Sequence, residues 1–181
     1  GKALGLSELQ FAYQANCSTS LCTWAVLETI DYFNKKGSEV LTVATNMSKA
    51  FDLALNSKMF QKMFEANLAP ICVRLLIHIY GSKEANVSWD PTERSKNFKI
   101  RKGTGQGRVL AAIAYCLYVA GLFELLEQRG SGCWIEGDYR GMWGYSDDNW
   151  AVAASLSSLQ DMIRTMEEYA ESHNLKFSSD P

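Results

Sequence analysis

The chain has 181 residues, of which 47% are hydrophobic, so it is long enough to enclose one sizeable core. Its 18 Lys and Arg residues are set against 20 Asp and Glu residues, which gives a formal net charge of -2. This balance excludes a global attraction to nucleic acid, so any such binding must come from local basic patches.

The first half of the chain predicts a helix, a strand and two further helices. Apolar residues recur at helical spacing in 18–33, behind Ser or Thr caps, and predict an amphipathic helix. The alternating, β-branched run 39–45 predicts a strand. Two helices are then expected over roughly 57–66 and 70–80, and Pro70 is well placed at the start of the second.

The second half predicts two hairpins and two helices. Residues 85–101 are expected to form the first hairpin, and the uncharged run 109–123 a buried helix. This run is shorter than the roughly 20 apolar residues that a membrane span needs, so we expect no membrane association. Short strands are predicted within 133–135 and 139–153, followed by an amphipathic helix over 155–173. The order of elements predicts an α+β fold, with helices on one face of an antiparallel sheet.

The cysteines and the start of the chain bear on its compartment. There are five cysteines, an odd number, scattered through largely apolar surroundings, which is typical of reduced thiols. The chain begins without Met and shows no basic, apolar leader. We therefore expect an intracellular protein, nuclear or cytoplasmic, that is not secreted.

The stretch M-W-G-Y-S-D-D-N-W, from Met142 to Trp150, places two adjacent carboxylates between aromatic residues. One interpretation is a solvated turn, because Asp and Asn tolerate turn geometry. The other is a hairpin tip that aims Asp147 and Asp148 at a divalent metal such as Mg²⁺, whose charge offsets their repulsion. The stretch alone favours the turn.

A local basic cluster lies between the first predicted hairpin and the buried helix. With Trp89 and Phe98 nearby, it could contact a nucleic-acid backbone, or it could be a solvated hairpin edge on which lysines discourage strand addition. Phe98 itself is predicted to be a core residue and not a stacking platform. The cluster consists of Arg94, Lys96, Lys99, Arg101, Lys102 and Arg108.

Three motifs occur in the order and at about the spacing of a polymerase palm. They are N-M-S-K-A-F-D at the end of the predicted strand, G-T-G-Q-G before the buried helix, and Y-S-D-D in the second hairpin. With these motifs the chain resembles the reverse transcriptases of non-long-terminal-repeat (LINE-like) retrotransposons, from Q-F-A-Y-Q at Gln10 to Phe177. The resemblance implies a palm-type antiparallel sheet backed by helices, with partial fingers and no thumb. The implied boundaries are 1–38 and 56–104 for the fingers-like parts, and 39–55 and 105–181 for the palm.

The resemblance also implies a role for particular residues. Asp147 and Asp148 are the implied catalytic residues and, together with Asn46, the implied ligands of two Mg²⁺ ions. Phe51 falls where the family excludes a ribose 2′-hydroxyl. The residues implied to meet the incoming dNTP are Phe51, Gln106, Gly107 and Tyr145. The residues implied to contact the RNA template and DNA primer are Lys99, Arg101, Lys102 and Arg108.

The chain departs from the family where the first metal ligand should lie. Position 46 is Asn where the family has a catalytic Asp, and an amide brings no charge and bridges two cations poorly. Asp52 is not expected to substitute, because in a continuing strand it would lie roughly 20 Å away. Two further departures are Gly105, in place of an Arg, and Ala111-Ala112, in place of Ser-Pro.

Two functions follow from this resemblance. The chain is either part of an RNA-directed DNA polymerase, impaired at Asn46, or a non-catalytic descendant that binds nucleic acid or has a structural role. In both cases Asn46 and Asp147 should lie on neighbouring strands, with side-chain oxygens within roughly 8 Å as two-metal geometry requires. The helix predicted over about 106–128 should be buried on most of its circumference.

Overall fold

The computed structural model describes residues 6–105 and 109–178, in which helices back a small antiparallel sheet. This confirms the predicted α+β class. The helices are α1 (Thr19–Lys35), α2 (Ala50–Leu53), α3 (Asn56–Glu65), α4 (Pro70–Gly81), α5 (Val109–Arg129) and α6 (Leu156–Ser172). The strands are β1 (Leu41–Asn46), β2 (Glu84–Ala85), β3 (Phe98–Lys99), β4 (Trp134–Ile135), β5 (Asp138–Tyr139), β6 (Met142–Tyr145) and β7 (Asp148–Ala153).

The central sheet has the strand order β1-β7-β6, and all its pairs are antiparallel. β6 and β7 form a hairpin, and β1 pairs with the other edge of β7. The register between β1 and β7 places Leu41 opposite Ala153 and Asn46 opposite Asp148. The end of β1 therefore lies beside the start of β7, which brings together two motifs that are about 100 residues apart in the chain.

Helix α5 is the centre of the core. Its residues from Ala114 to Ala120 are all buried, as are Phe123 and Leu126. By length and composition alone Leu110–Arg129 could cross a membrane, but 61% of its most apolar stretch is buried inside the fold. The prediction of a core helix is confirmed for the described part, and residues 106–108 lie outside the described residues.

The first hairpin is confirmed, but its strands are shorter than predicted. β2 and β3 have only two residues each, and the turn between them is held by Asp90, whose Oδ1 accepts hydrogen bonds from the backbone N–H groups of Thr92 and Glu93. The prediction that Phe98 is a core residue is wrong, since the side chain is 50% exposed. Strands of two residues are too short to support a layer over that ring.

Helix α6 ends in an aromatic cluster around His173. The imidazole stacks on the Tyr169 ring, with centroids 3.9 Å apart, and meets the Tyr118 ring edge to face. Burial lowers the pKa of His173, and the positive charges of Lys58 and Lys62 lower it further, against the opposing effect of a hydrogen bond to the Tyr169 carbonyl.

We expect the free energy of unfolding to fall on acidification through His173. Because the pKa of His173 is lower in the folded chain than the unfolded value of 6.5, its contribution is complete above about pH 6.5. The contribution is lost as the pH falls through the folded-state pKa. Urea unfolding at pH 7.5 and pH 5.0 should show a smaller drop for His173→Gln than for the unaltered chain. His78→Gln, at an exposed position of α4, is the matched control, and an equal drop in all three proteins would contradict the assignment.

Candidate functional site at the Asp hairpin

The two adjacent carboxylates lie at the tip of the β6–β7 hairpin. Tyr145 pairs with Asp148 across the ladder, so Ser146 and Asp147 form a two-residue loop. Ser146 has a φ of +60°. Asp147 does not have a positive φ, and this combination is typical of a type II′ turn. The predicted turn is therefore confirmed, and the metal-binding interpretation depends on which donors meet at this tip.

Asn46 contacts this tip through its amide. Its Nδ2 donates a hydrogen bond of 2.9 Å to Oδ1 of Asp148. We expected Asn46 and Asp147 on neighbouring strands, but the ladder pairs residue 46 with residue 148, and Asp147 lies in the two-residue loop. Asp147 lies at the turn beside them, where its carbonyl accepts a hydrogen bond of 3.1 Å from the Met47 N–H. The sheet thus brings Asn46 to the Asp148 carboxylate, and Met47 to the backbone of Asp147.

The negative charge of Asp147 affects the pKa values of two residues in the buried helix α5. Burial raises the pKa of the Cys116 thiol to about 12, and the negative charge of Asp147 contributes to this rise. The same two causes raise the pKa of Tyr115. Among the described residues, neither Asp147 nor Asp148 forms an ion pair. The amide of Asn46 is thus a neutral partner at a site that carries two negative charges.

The donor set at this tip does not fit two divalent ions. Two ions about 3.5 to 4 Å apart need carboxylates that converge from separate strands, and here both carboxylates come from one hairpin. The Asn46 side chain faces Asp148 with its N–H donor, whereas a metal ligand must present an oxygen lone pair. Within residues 6–105 and 109–178, no group of three or more His, Cys, Asp and Glu side chains could hold a metal ion.

Asp52 does not replace the missing carboxylate. β1 ends at Asn46, and a left-handed Lys49, with a φ of +50°, leads into the short helix α2. Asp52 is exposed in the first turn of that helix, where a negative charge is favourable. The change of chain direction, and not only the distance along a strand, separates it from the tip.

Of the four predicted nucleotide-binding residues, the structure describes Phe51 and Tyr145. Phe51 is half-buried, with its ring centroid 4.9 Å from that of Tyr115. Tyr115 in turn donates from its hydroxyl to the Met47 sulfur at 3.0 Å, so a chain of contacts joins Phe51 to the end of β1. Tyr145 is half-buried at the end of β6. The predictions for Gln106, Gly107 and Arg108 lie outside the described residues.

The predicted nucleic-acid contacts lie on an exposed segment that is anchored beside Phe51. Lys99, Arg101 and Lys102 are all exposed, and none of them forms an ion pair with another described residue. Directly after them, the Thr104 N–H donates to the Phe51 carbonyl at 2.7 Å. The backbone thus ties the basic segment to the α2 region.

Sequence reasoning missed two residues that support the turn. Asn149 is 1% exposed and donates from Nδ2 to the Asp147 carbonyl at 3.0 Å. Gly144 lies under the turn, where a Cβ would stand 2.6 Å from Cζ of Phe123. The available signals were weak: a polar residue inside an otherwise apolar strand, and a glycine between two aromatic residues.

Residues 4–180 match the family described as reverse transcriptase (RNA-dependent DNA polymerase). The chain therefore belongs to the reverse transcriptase family, as its motifs predicted. No curated protein sequence matches the chain.

Two solved telomerase structures share the fold. The telomerase from Candida albicans, in complex with the TWJ fragment of telomeric RNA, superposes with a TM-score of 0.69 at 12% identity, over 90% of this chain and 30% of that one. The apo telomerase from Candida tropicalis, truncated from its C-terminal domain, gives a TM-score of 0.65 at 12% identity, over 91% of this chain and 36% of that one. The chain thus spans about a third of the length of these telomerase chains. The likeness supports the palm-type fold.

Proposed function

We propose that this chain is the palm and part of the fingers of an RNA-directed DNA polymerase of the non-long-terminal-repeat retrotransposon type, impaired in nucleotidyl transfer. It retains the surface that binds an RNA template and a DNA primer. The observation that carries the proposal is the hydrogen bond from Asn46 to Asp148. It supports both halves of the proposal, because the palm motifs converge while the expected metal ligand is an amide donor.

The proposed impairment follows from the number of negative charges at the site. In this family, Mg²⁺ ions would activate the primer 3′-hydroxyl and stabilise the leaving pyrophosphate. Asp147 and Asp148 supply two negative charges, and Asn46 supplies none in place of a third. Carboxylate charge attracts divalent ions to such a site, so Mg²⁺ occupancy is low. Gly105 adds to the impairment, because it removes a guanidinium from the turn that should meet template or nucleotide.

The same observation supports a second candidate, a non-catalytic descendant that keeps the fold as a nucleic-acid-binding module. In the first candidate, a carboxylate at position 46 recovers nucleotide addition. In the second it does not, because other parts of the machinery have also been lost. RNA binding alone does not separate the two candidates, whereas the response to Asn46→Asp does.

Nucleic-acid binding is tested on the exposed basic segment. The triple variant Lys99→Gln, Arg101→Gln, Lys102→Gln should bind an RNA template annealed to a DNA primer at least about tenfold more weakly than the unaltered chain at low salt. Each lost phosphate contact should also reduce the dependence of log K on log salt by about 0.7 to 0.9. Fluorescence anisotropy at several salt concentrations measures both quantities.

A matched triple variant controls for total charge. Lys35, Lys36 and Arg164 are exposed on α1, just after it and on α6. Changing all three to Gln removes the same charge and should leave both the affinity and the salt slope nearly unchanged. Equal weakening by the two triple variants would show that binding depends on total charge and not on the predicted segment.

A further inference from the structure

The segment before α1 lies alongside β6. The Phe11 N–H donates to the Gly144 carbonyl at 2.8 Å, and the Gly144 N–H donates to the Leu9 carbonyl at 2.8 Å. These bonds form a parallel bridge at Gln10. Gln10 is therefore fixed relative to the strand that leads into the Asp turn.

The side chain of Gln10 holds the backbone of Ser146 from both sides. Its Oε1 accepts hydrogen bonds from the N–H groups of Ser146, at 2.9 Å, and Ala12, at 3.1 Å. Its Nε2 donates to the Ser146 carbonyl at 3.2 Å. Gln10 is only 1% exposed, so water does not compete for these bonds. A neutral primary amide can serve as acceptor and donor in this way, whereas a carboxylate or an aliphatic side chain cannot.

The turn needs such support because Ser146 has a left-handed backbone. A φ of +60° costs a non-glycine residue energy and persists only where the surroundings impose it. Among the described residues, the Ser146 hydroxyl makes no hydrogen bond, so the residue is held through its backbone. Asp147 follows directly, and its carbonyl is fixed by Met47 and Asn149. The dihedral angles of Ser146, together with these two contacts, therefore set the path of the backbone that carries Asp147.

We infer that Gln10 is a positioning residue for the Asp turn: it holds Ser146 in the left-handed conformation of the turn that carries Asp147 and places Asp148 beside Asn46. The inference rests on the proposed function in one respect, since it takes this turn to be the site of nucleotidyl transfer. The hold on the turn is a property of the fold that can be measured without any reaction.

Hydrogen exchange at the Ser146 amide tests directly whether Gln10 stabilises the turn. Gln10→Met keeps the length of the side chain and removes both polar groups. It should lower the protection factor of the Ser146 N–H at least about tenfold more than that of the Leu122 N–H in α5, which reports global opening. Gln14→Met is the matched control, because Gln14 Nε2 donates to Ser7 and Gln10 carbonyls and not to the turn. Equal loss at Ser146 and Leu122 would overturn the inference.

Gln10→Glu provides a rescue within one protein. Once ionised, the new carboxyl still accepts from the Ser146 N–H, but it has no hydrogen for the Ser146 carbonyl and repels it, so the turn should open and protection at Ser146 should fall. Burial raises the pKa of such a carboxyl, and its protonated form keeps a donor. Protection relative to Leu122 should therefore be high at pH 5 and fall as the pH is raised towards 9, which Gln10→Met cannot reproduce. Absence of that pH response would overturn the inference even if Gln10→Met failed to fold.

The catalytic consequence is measured in a longer protein with complete fingers and a thumb that carries Asn46→Asp. Adding Gln10→Met should lower kcat for primer extension about tenfold or more and change KM for dNTP much less, because the carboxylates and not the nucleotide pocket are displaced. An unchanged kcat would overturn the positioning role. If Asn46→Asp alone shows no extension, the proposed function fails, and the exchange measurements still decide whether Gln10 holds the turn.

Discussion

Asn46→Asp should make the stability of this chain depend on Mg²⁺. The Asn46 amide now donates to Asp148 at 2.9 Å, so the substitution would place two carboxylates at that separation and lose the hydrogen bond. Without a divalent ion, their repulsion should lower the melting temperature of the variant below that of the unaltered chain. Millimolar Mg²⁺ should reverse this loss, because an ion that binds only the folded state stabilises it.

The same substitution should raise activity in a protein that also has complete fingers and a thumb. We expect primer extension on an RNA template to increase at least about tenfold, for which about 1.4 kcal/mol of transition-state stabilisation is sufficient. Full recovery is not expected, since Gly105 still lacks the guanidinium of the family. Melting curves with Mg²⁺ or EDTA, and extension assays with Mg²⁺, measure the two effects.

A control variant separates the site from a general effect of added charge. Asn34→Asp makes the same chemical change at an exposed position near the end of α1, and we expect neither Mg²⁺-dependent melting nor a change in extension. Robust and equal extension by the Asn46 protein and its Asn46→Asp variant would show that position 46 is not a catalytic position. The proposed impairment would then be wrong.

The elements of the fold could be predicted because their signals are local. The apolar spacing of α1 and α6, the alternation of β1 and the long uncharged run of α5 each reflect which face is buried. The first hairpin was predicted less well. Its turn is fixed locally by Asp90, but whether Phe98 is covered depends on how much of the surrounding chain packs there.

The candidate site could be predicted only as far as its motifs extend. Asn46 and the Asp pair were found because they stand in recognisable strings, and the register that pairs Asn46 with Asp148 could not be obtained from either string alone. The hydrogen bonds between Gln10 and Ser146 span 136 residues of sequence and join the Gln10 side chain to the Ser146 backbone. Nothing in the identity of Ser146 signals such a partner.

Gly144→Ala adds only one methyl group, yet we expect it to destabilise the fold strongly. The added Cβ would stand 2.6 Å from Cζ of Phe123, 3.1 Å from Oδ1 of Asn149 and 3.2 Å from Nε2 of Gln10. The end of a Phe ring can move aside at a surface, but Phe123 is 1% exposed within α5, and protein interiors are close-packed. Asn149 and Gln10 cannot yield without loosening their hydrogen bonds to the turn. Overpacking of this kind costs about 1 to 3 kcal/mol.

Thermal unfolding measures this cost against a glycine in open space. For a chain of this length, 1 kcal/mol corresponds to about 2 to 4 °C, so Gly144→Ala should lower Tm by roughly 2 to 12 °C. Gly81, the last residue of α4, has nothing within 4 Å of an added Cβ, and Gly81→Ala should leave Tm unchanged or slightly raised because Ala favours helix. Equal melting of the two variants would mean that the packing beneath the turn is loose. In that case the backbone of Ser146 and Asp147 would not be held as firmly as the contacts of Gln10, Met47 and Asn149 imply.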